Sequence, residues 1–233
     1  MRYVFADCRW ALDDPAWGRA QYLAGHIPGA VFLDVERDLS GPSGSGGRHP
    51  LPATADFART LGEAGIGNET FVVAYGSLGG AERLWWLLRH VGHDNCAVID
   101  LNGWHGPLET GDDRRPDRRS FETRVRQDDT IERDELERRL DDLVVVDARR
   151  PERWRGEPNP IDKVPGRTPG ALNVPWSEPL PDLPEGDLVA YCGSGVTACV
   201  VLHRLHLAGR EGRLYPGSWS EWEQHDALPK ERD

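Results

Sequence analysis

Apolar and polar positions change their period many times along the chain. Short, continuous apolar runs at 3–7, 30–33, 70–75 and 96–100 are separated by stretches of helical spacing near 15–24, 54–64 and 80–91. A second series has runs at 143–147, 171–174, 187–191 and near 212–215, with helical spacing over 196–208. Runs apolar on both faces suit strands inside a parallel sheet, and the helical stretches between them suit crossover connections. The pattern predicts an α/β fold with a mostly parallel sheet flanked by helices on both faces.

The two series are also similar residue by residue. Val4-Phe5-Ala6-Asp7-Cys8-Arg9 matches Val144-Val145-Val146-Asp147-Ala148-Arg149, and Gly25-His26-Ile27-Pro28-Gly29-Ala30 matches Gly166-Arg167-Thr168-Pro169-Gly170-Ala171. Val72-Val73-Ala74-Tyr75-Gly76 then matches Leu188-Val189-Ala190-Tyr191-Cys192, and Gly103-Trp104 stands against Gly217-Ser218-Trp219. Four similarities in one order mark a duplicated domain, and the offset drops by about 25 residues midway, so the first copy carries an insertion. The predicted division is a first domain over 1–108, a polar linker over 109–129 and a second domain over 130–233. The linker contains Gly111-Asp112-Asp113-Arg114-Arg115-Pro116, a charged run broken by proline.

Composition narrows the function classes. A formal charge of −11 disfavours a nucleic-acid surface, because phosphates would be repelled. No run reaches the length of a membrane span and the N-terminus lacks a signal-type apolar region, so the expectation is a cytoplasmic protein without a membrane role. Cys8, Cys96, Cys192 and Cys199 show no zinc spacing, so no metal is expected and free thiols are.

One cysteine has a chemical setting. Leu188-Val189-Ala190-Tyr191 delivers the chain to Cys192-Gly193-Ser194-Gly195-Val196-Thr197, from which a helix departs. A thiol at a helix N-terminus is stabilised as thiolate by unpaired N–H groups and the helix dipole. Gly193 and Gly195 let the backbone amides curl around the sulfur. Cys192 is therefore the predicted nucleophile; the plain alternative is a buried structural cysteine. The insertion Asp38-Leu39-Ser40-Gly41-Pro42-Ser43-Gly44-Ser45-Gly46-Gly47 reads as a flexible loop. It ends, however, on Arg48-His49-Pro50-Leu51-Pro52, where two prolines stiffen the chain around a histidine and an arginine.

Taken together, the opening Asp-x-Arg, Gly25–Ala30, Arg83-Leu84-Trp85-Trp86-Leu87-Leu88-Arg89, Asn173-Val174-Pro175-Trp176 and Cys192–Thr197 resemble the two-domain rhodanese sulfurtransferases over nearly the whole length. That family includes thiosulfate and 3-mercaptopyruvate sulfurtransferases. The resemblance implies two tandem rhodanese-like domains, the second catalytic and the first inactive, with Gly76 where a nucleophile would stand. It implies transfer of sulfane sulfur through a Cys192 persulfide, from a small anionic donor to cyanide or a thiol acceptor such as thioredoxin, with no cofactor. Ser194, His49 and Glu36 fall at the positions of the family's hydroxyl, histidine and acid, although an aspartate is more usual than Glu36. Arg153 matches a donor-binding arginine, and Gly193, Gly195, Val196 and Thr197 form the sulfur-binding loop. Gly193 and Ser194 tilt the donor toward mercaptopyruvate. Against that, a second substrate arginine of those enzymes is replaced by Asn159-Pro160-Ile161-Asp162. Cys8, Cys96 and Cys199 match no catalytic position and read as structural.

Other readings fit less well. A cysteine phosphatase needs an arginine six residues after the cysteine, where Ala198 stands. Gly193-Ser194-Gly195-Val196-Thr197-Ala198 mimics a dinucleotide-binding turn, but no acid ends the next strand. The remaining alternative is a non-catalytic rhodanese-fold sulfur carrier or regulatory binding module. Most of the nine tryptophans are expected in core or domain-interface packing, with Trp176 and Trp219 as candidates to wall a pocket; Arg167 is expected to be a surface change rather than an addition to the site's positive potential.

Overall fold

The structure is a computed structural model that describes residues 2–112 and 116–233. It divides into two compact units, Met1–Gly41 with Leu51–Arg126, and Pro42–Pro50 with Gln127–Asp233. The end of the glycine-rich insertion thus packs with the second unit although it lies in the first half of the chain. Residues 116–126, read from sequence as linker, run along the first unit: Arg119 N–H donates to Gly62 O, and Arg124 N–H to Val91 O, each at 2.9 Å.

In the first unit β1 (Arg2–Cys8), β2 (Val31–Phe32), β3 (Thr70–Gly76) and β4 (Cys96–Val98) form one sheet in the order β2-β1-β3-β4. Every pairing is parallel. Helices α1 (Trp17–Ala24), α2 (Thr54–Glu63) and α3 (Gly80–His90) make the crossovers. Val4, Ala6, Val72 and Ala74 are buried along the central strands, which explains their unbroken apolar character.

The second unit repeats the plan. Its strands β5 (Leu143–Asp147), β6 (Leu172–Asn173), β7 (Asp187–Tyr191) and β8 (Arg213–Leu214) take the order β6-β5-β7-β8, again all parallel. Helix α4 (Arg133–Arg138) precedes the sheet, α5 (Pro151–Arg155) follows β5, α6 (Ala198–Leu207) follows β7 and α7 (Ser218–Trp222) follows β8. Pro151 opens α5, where its missing N–H is no loss, and Gly156 closes it with φ +83°. Val145, Val189, Tyr191, Tyr215, Trp219 and Trp222 share one core.

The apolar pattern located the strands well, but α6 begins at Ala198 rather than residue 196, because residues 193–197 are spent on the turn after β7. The short helices α4, α5 and α7 were not foreseen; at five or six residues each they are too brief to show a period. Among the described residues no helix is long and apolar enough to cross a membrane.

Candidate active site

The turn after β7 opens at the C-terminal edge of the second sheet, the edge where open α/β sheets bind ligands. Cys192 is the first residue past the strand, and its side chain is buried in the turn at 2% exposure. Gly195 takes φ +80°, a backbone region that suits glycine, and that curl brings its N–H to within 3.2 Å of Cys192 Sγ. The amides of Gly193, Ser194, Val196 and Thr197 make no hydrogen bond to Sγ among the described residues, so the curl of amides read from the sequence comes down to one donor. The Val196 and Thr197 carbonyls instead accept from Cys199 and Val200, the first turn of α6.

A second turn fixes the backbone of the first. Ser218, at φ +53°, is held in a region uncommon for a residue with a side chain. There its Oγ accepts the Cys192 N–H at 3.1 Å and donates to Tyr215 O. Trp219 N–H donates to Cys192 O at 2.9 Å, and Ser220 N–H to Gly193 O at 3.0 Å. Residues 192–193 are therefore clamped from behind by α7. Ser218 escaped the sequence reading; the signal available was only its place beside the repeated Gly-Trp motif.

The segment 47–49 lies against the same turn. A β-carbon on Gly47 would meet Gly217 O at 2.6 Å and Ser220 Oγ at 2.8 Å, so this position has no room for a side chain. Arg48 N–H then donates to Ser220 Oγ at 2.9 Å. His49 follows, with Nδ1 2.7 Å from the Ser194 hydroxyl and both residues buried. A histidine and a serine far apart in sequence thus form one hydrogen-bonded pair.

Two guanidinium groups converge beside the cysteine. A β-carbon on Gly193 would lie 2.8 Å from Arg153 Nη2 and 2.9 Å from Arg48 Nη2. Glycine at 193 is what makes space for them. Arg153, on α5, is forked by Asp162, with Nε to Oδ2 at 2.8 Å and Nη2 to Oδ1 at 2.5 Å. Asn159 closes a turn on Asp162 through Oδ1, accepting the Ile161 and Asp162 N–H groups. Where a second arginine was missed in the sequence, the chain has therefore built a carboxylate holder. Burial opposes the charge of Asp162, but the hydrogen bonds and charge of Arg153, with Arg149 behind, hold its carboxyl below the usual carboxylate range.

The other cysteines have no such setting. Burial, reinforced by Asp7, pushes the Cys8 thiol far up, and burial pushes Cys96 up to about 12, so both stay protonated. Cys199 is buried in α6, where its thiol donates to Gly195 O at 3.3 Å.

Glu36 belongs to the first unit, exposed on the turn after β2, with its N–H on Asp34 Oδ1 at 2.9 Å. Trp219 is core, as expected of most of the tryptophans, rather than a pocket wall. It is wholly buried beneath Arg149, its indole N–H on Val164 O, while Trp176 is half-buried and tied to Ala148 O by its backbone. Arg167 is not a surface residue either. It is 4% exposed, stacked 3.9 Å over Trp154, and pairs with Glu231 and Asp233 near the chain's end. Arg48 carried no functional reading in the sequence; its one signal was its place beside His49 in a proline-stiffened segment.

Known proteins resemble this chain over nearly its whole length. The profile of the Rhodanese-like domain family matches residues 2–106 and 132–225. A Mycobacterium tuberculosis protein bearing the name of a thiosulfate sulfurtransferase is 37% identical over 255 residues, 96% of this chain and 88% of its own length. A Pseudomonas aeruginosa protein named as a 3-mercaptopyruvate sulfurtransferase is 41% identical over 250 residues, covering 93% of this chain and 87% of its own. The solved structure of a 3-mercaptopyruvate sulfurtransferase from Leishmania major superposes with a TM-score of 0.82 at 29% identity, over 96% of this chain and 70% of that one.

Proposed function

The chain belongs to the rhodanese family and is a sulfurtransferase, and from that premise we propose that the sulfur passes through a persulfide on Cys192 in the second domain, the first domain being inactive. The observation that carries this is the Cys192 sulfur under the Gly195 N–H with two guanidinium groups at the adjacent Gly193. A thiolate, and the persulfide anion after it, needs amide donors and positive charge rather than an acid.

With thiosulfate, Cys192 Sγ attacks the outer sulfur, an Sγ–S bond forms, the S–S bond of the donor breaks, and its electron pair leaves with sulfite. With 3-mercaptopyruvate, the bond broken is C–S, and the pair leaves as the enolate of pyruvate, which takes up a proton. An acceptor nucleophile, cyanide or a thiol such as that of thioredoxin, then removes the outer sulfur and restores the thiolate. Arg153 binds the anionic end of the donor through a planar guanidinium. The buried His49–Ser194 pair supports a proton-handling role. Mercaptopyruvate cleavage demands such a proton at the departing carbon, whereas sulfite needs none. Gly193, Gly195, Val196 and Thr197 make up the sulfur-binding loop of this reading, and the two glycines add no side chain beside the outer sulfur.

The test is a mass measurement after exposure to donor without acceptor. Wild type gains one sulfur at Cys192, and Cys192→Ser gains none and loses turnover with both donors. A Cys192→Ser protein that still gains the sulfur would refute the assignment. A wild type that turns over neither donor would point to a binding module instead.

A further inference from the structure

We propose that Arg48 is a donor-binding residue, its guanidinium forming with that of Arg153 a two-armed clamp for the anionic end of the sulfur donor. This rests on Cys192 being the sulfur-accepting atom and extends that reading to what holds the donor.

The argument starts from an imbalance. Arg149 is buried against Asp147 and Asp162, Arg153 is forked by Asp162, and Arg167 is paired with Glu231 and Asp233. Arg48 has no carboxylate within ion-pair distance among the described residues. Its Nη2 donates to Gly193 O at 3.2 Å, its Nη1 reaches Ile161 O only at 3.5 Å, and its buried Nε has no partner. An arginine carries five N–H donors, and a partly buried cation without a counter-ion is costly. The neighbouring cation makes it worse, since burial and then the charge of Arg153 push the Arg48 guanidinium below its ordinary value. Attraction from Asp162, Glu223 and the Cys192 sulfur offsets part of this through space.

Two like charges converging on a glycine need an anion between them. Each arm spends two donors, but those of Arg153 go to the Asp162 carboxylate and those of Arg48 to carbonyls, so Arg48 is the arm whose charge is left unbalanced. A carboxylate or a thiosulfonate presents oxygen pairs that match such forks. The segment is held for the task by Gly47 and the Arg48 backbone on Ser220, which aim the side chain over residue 193.

The experiment compares alkylation of Cys192 by iodoacetate and by uncharged iodoacetamide, followed by mass spectrometry, alongside donor kinetics. In Arg48→Met the ratio of iodoacetate to iodoacetamide rates should fall about tenfold, and KM for thiosulfate and for mercaptopyruvate should rise about 10- to 100-fold with kcat little changed. Arg48→Lys keeps the charge but loses the fork, and should show a smaller fall, about threefold. It supplies the same reading should Arg48→Met not accumulate as folded protein. A merely structural Arg48 would slow both reagents together and leave their ratio alone; an unchanged ratio with an unchanged KM overturns the proposal. The ratio is readable whether or not Cys192 takes up sulfur, so failure of the persulfide reading would be seen separately.

Discussion

In the first unit Arg9 forks onto Asp7 and reaches the carbonyls of Gln21 and Gly25; in the second, Arg149 forks onto Asp147 and reaches the Gly166 carbonyl and Asp162. Ile27 N–H donates to the Tyr75 hydroxyl as Thr168 N–H donates to that of Tyr191. Glu109 pairs its backbone with His26 and takes the Gly29 N–H, and Glu231 does the same for Arg167 and Gly170. Gly79 and Gly195 both sit at φ +80° in the turn after the third strand of each sheet. The scaffold has been copied almost bond for bond, and the turn it presents has not. Where the second unit has Cys192, the first has Gly76, and a β-carbon there would meet Cys8 O at 2.7 Å. Ser77, in the place of Gly193, spends its hydroxyl on the Trp10 backbone, and Leu78, at φ +47°, replaces Ser194. One turn lies flat on the end of its neighbouring strand; the other is open to two guanidinium groups. The chemistry resides in the turn, and the fold only delivers it.

Moving the thiol is the sharpest way to break this comparison. Gly76→Cys combined with Cys192→Gly should leave turnover at least about 10³-fold below wild type with either donor. It should also lower stability by about 1–3 kcal/mol, because the new side chain has no space against Cys8. Sulfur loading at residue 76 would show that the first turn is more open than its geometry implies. Next in size is the paired substitution of the two fork arginines. The Arg149 side chain is wholly inaccessible whereas that of Arg9 is 13% exposed. Arg149→Met, which strands the buried Asp147 carboxylate and takes one of two cations from Asp162, should cost about 3–5 kcal/mol in urea unfolding. Arg9→Met should cost distinctly less; equal costs would mean that Asp162 adds nothing. His49→Ala then probes chemistry rather than folding. It should lower kcat for mercaptopyruvate by about 10²-fold, the usual worth of a positioned proton donor, and leave thiosulfate within a fewfold of wild type. Equal losses would remove the His49–Ser194 pair from proton transfer.

The sequence made the duplication, the strand positions and the reactive turn readable, for reasons that differ. Strands buried on both faces must be apolar throughout, so Val144-Val145-Val146 and Leu188-Val189-Ala190 announce themselves. Cys192 stands out because glycine, serine and a helix start cluster around it, a combination with chemical meaning at short range. The collar of amides was overestimated, since only a structure tells which N–H of a curled turn aims at the sulfur. Arg48 was missed for a different reason. Its role depends on Gly47, Ser220 and Gly193 meeting in space, and no pattern local to residues 45–50 encodes that meeting. Arg167 was misplaced because a cation–aromatic stack inside a core and a polar surface position look alike along a chain.

The last contrast between the units is electrostatic and concerns acid. At the place where Asp162 meets Arg149, the first unit offers Arg9 the Gln21 carbonyl, which does not titrate. Burial disfavours the Asp162 charge, yet Arg153 and Arg149 hold its carboxyl below the usual range in the folded protein. The unfolded chain has an ordinary aspartate, near 3.9. A carboxyl whose folded value is depressed stabilises the fold fully above the unfolded value and loses that contribution as pH falls through the folded one. Wild-type stability should therefore decline below about pH 4 with a component of up to about 1.4 kcal/mol per pH unit that Asp162→Asn lacks, while the two profiles run parallel above about pH 5. Urea unfolding between pH 3 and 7 reads the difference. Profiles that stay parallel into acid would mean that the carboxylate shared by Arg149 and Arg153 is no more stabilised than a free one, and that the second unit gains nothing in this respect over the first.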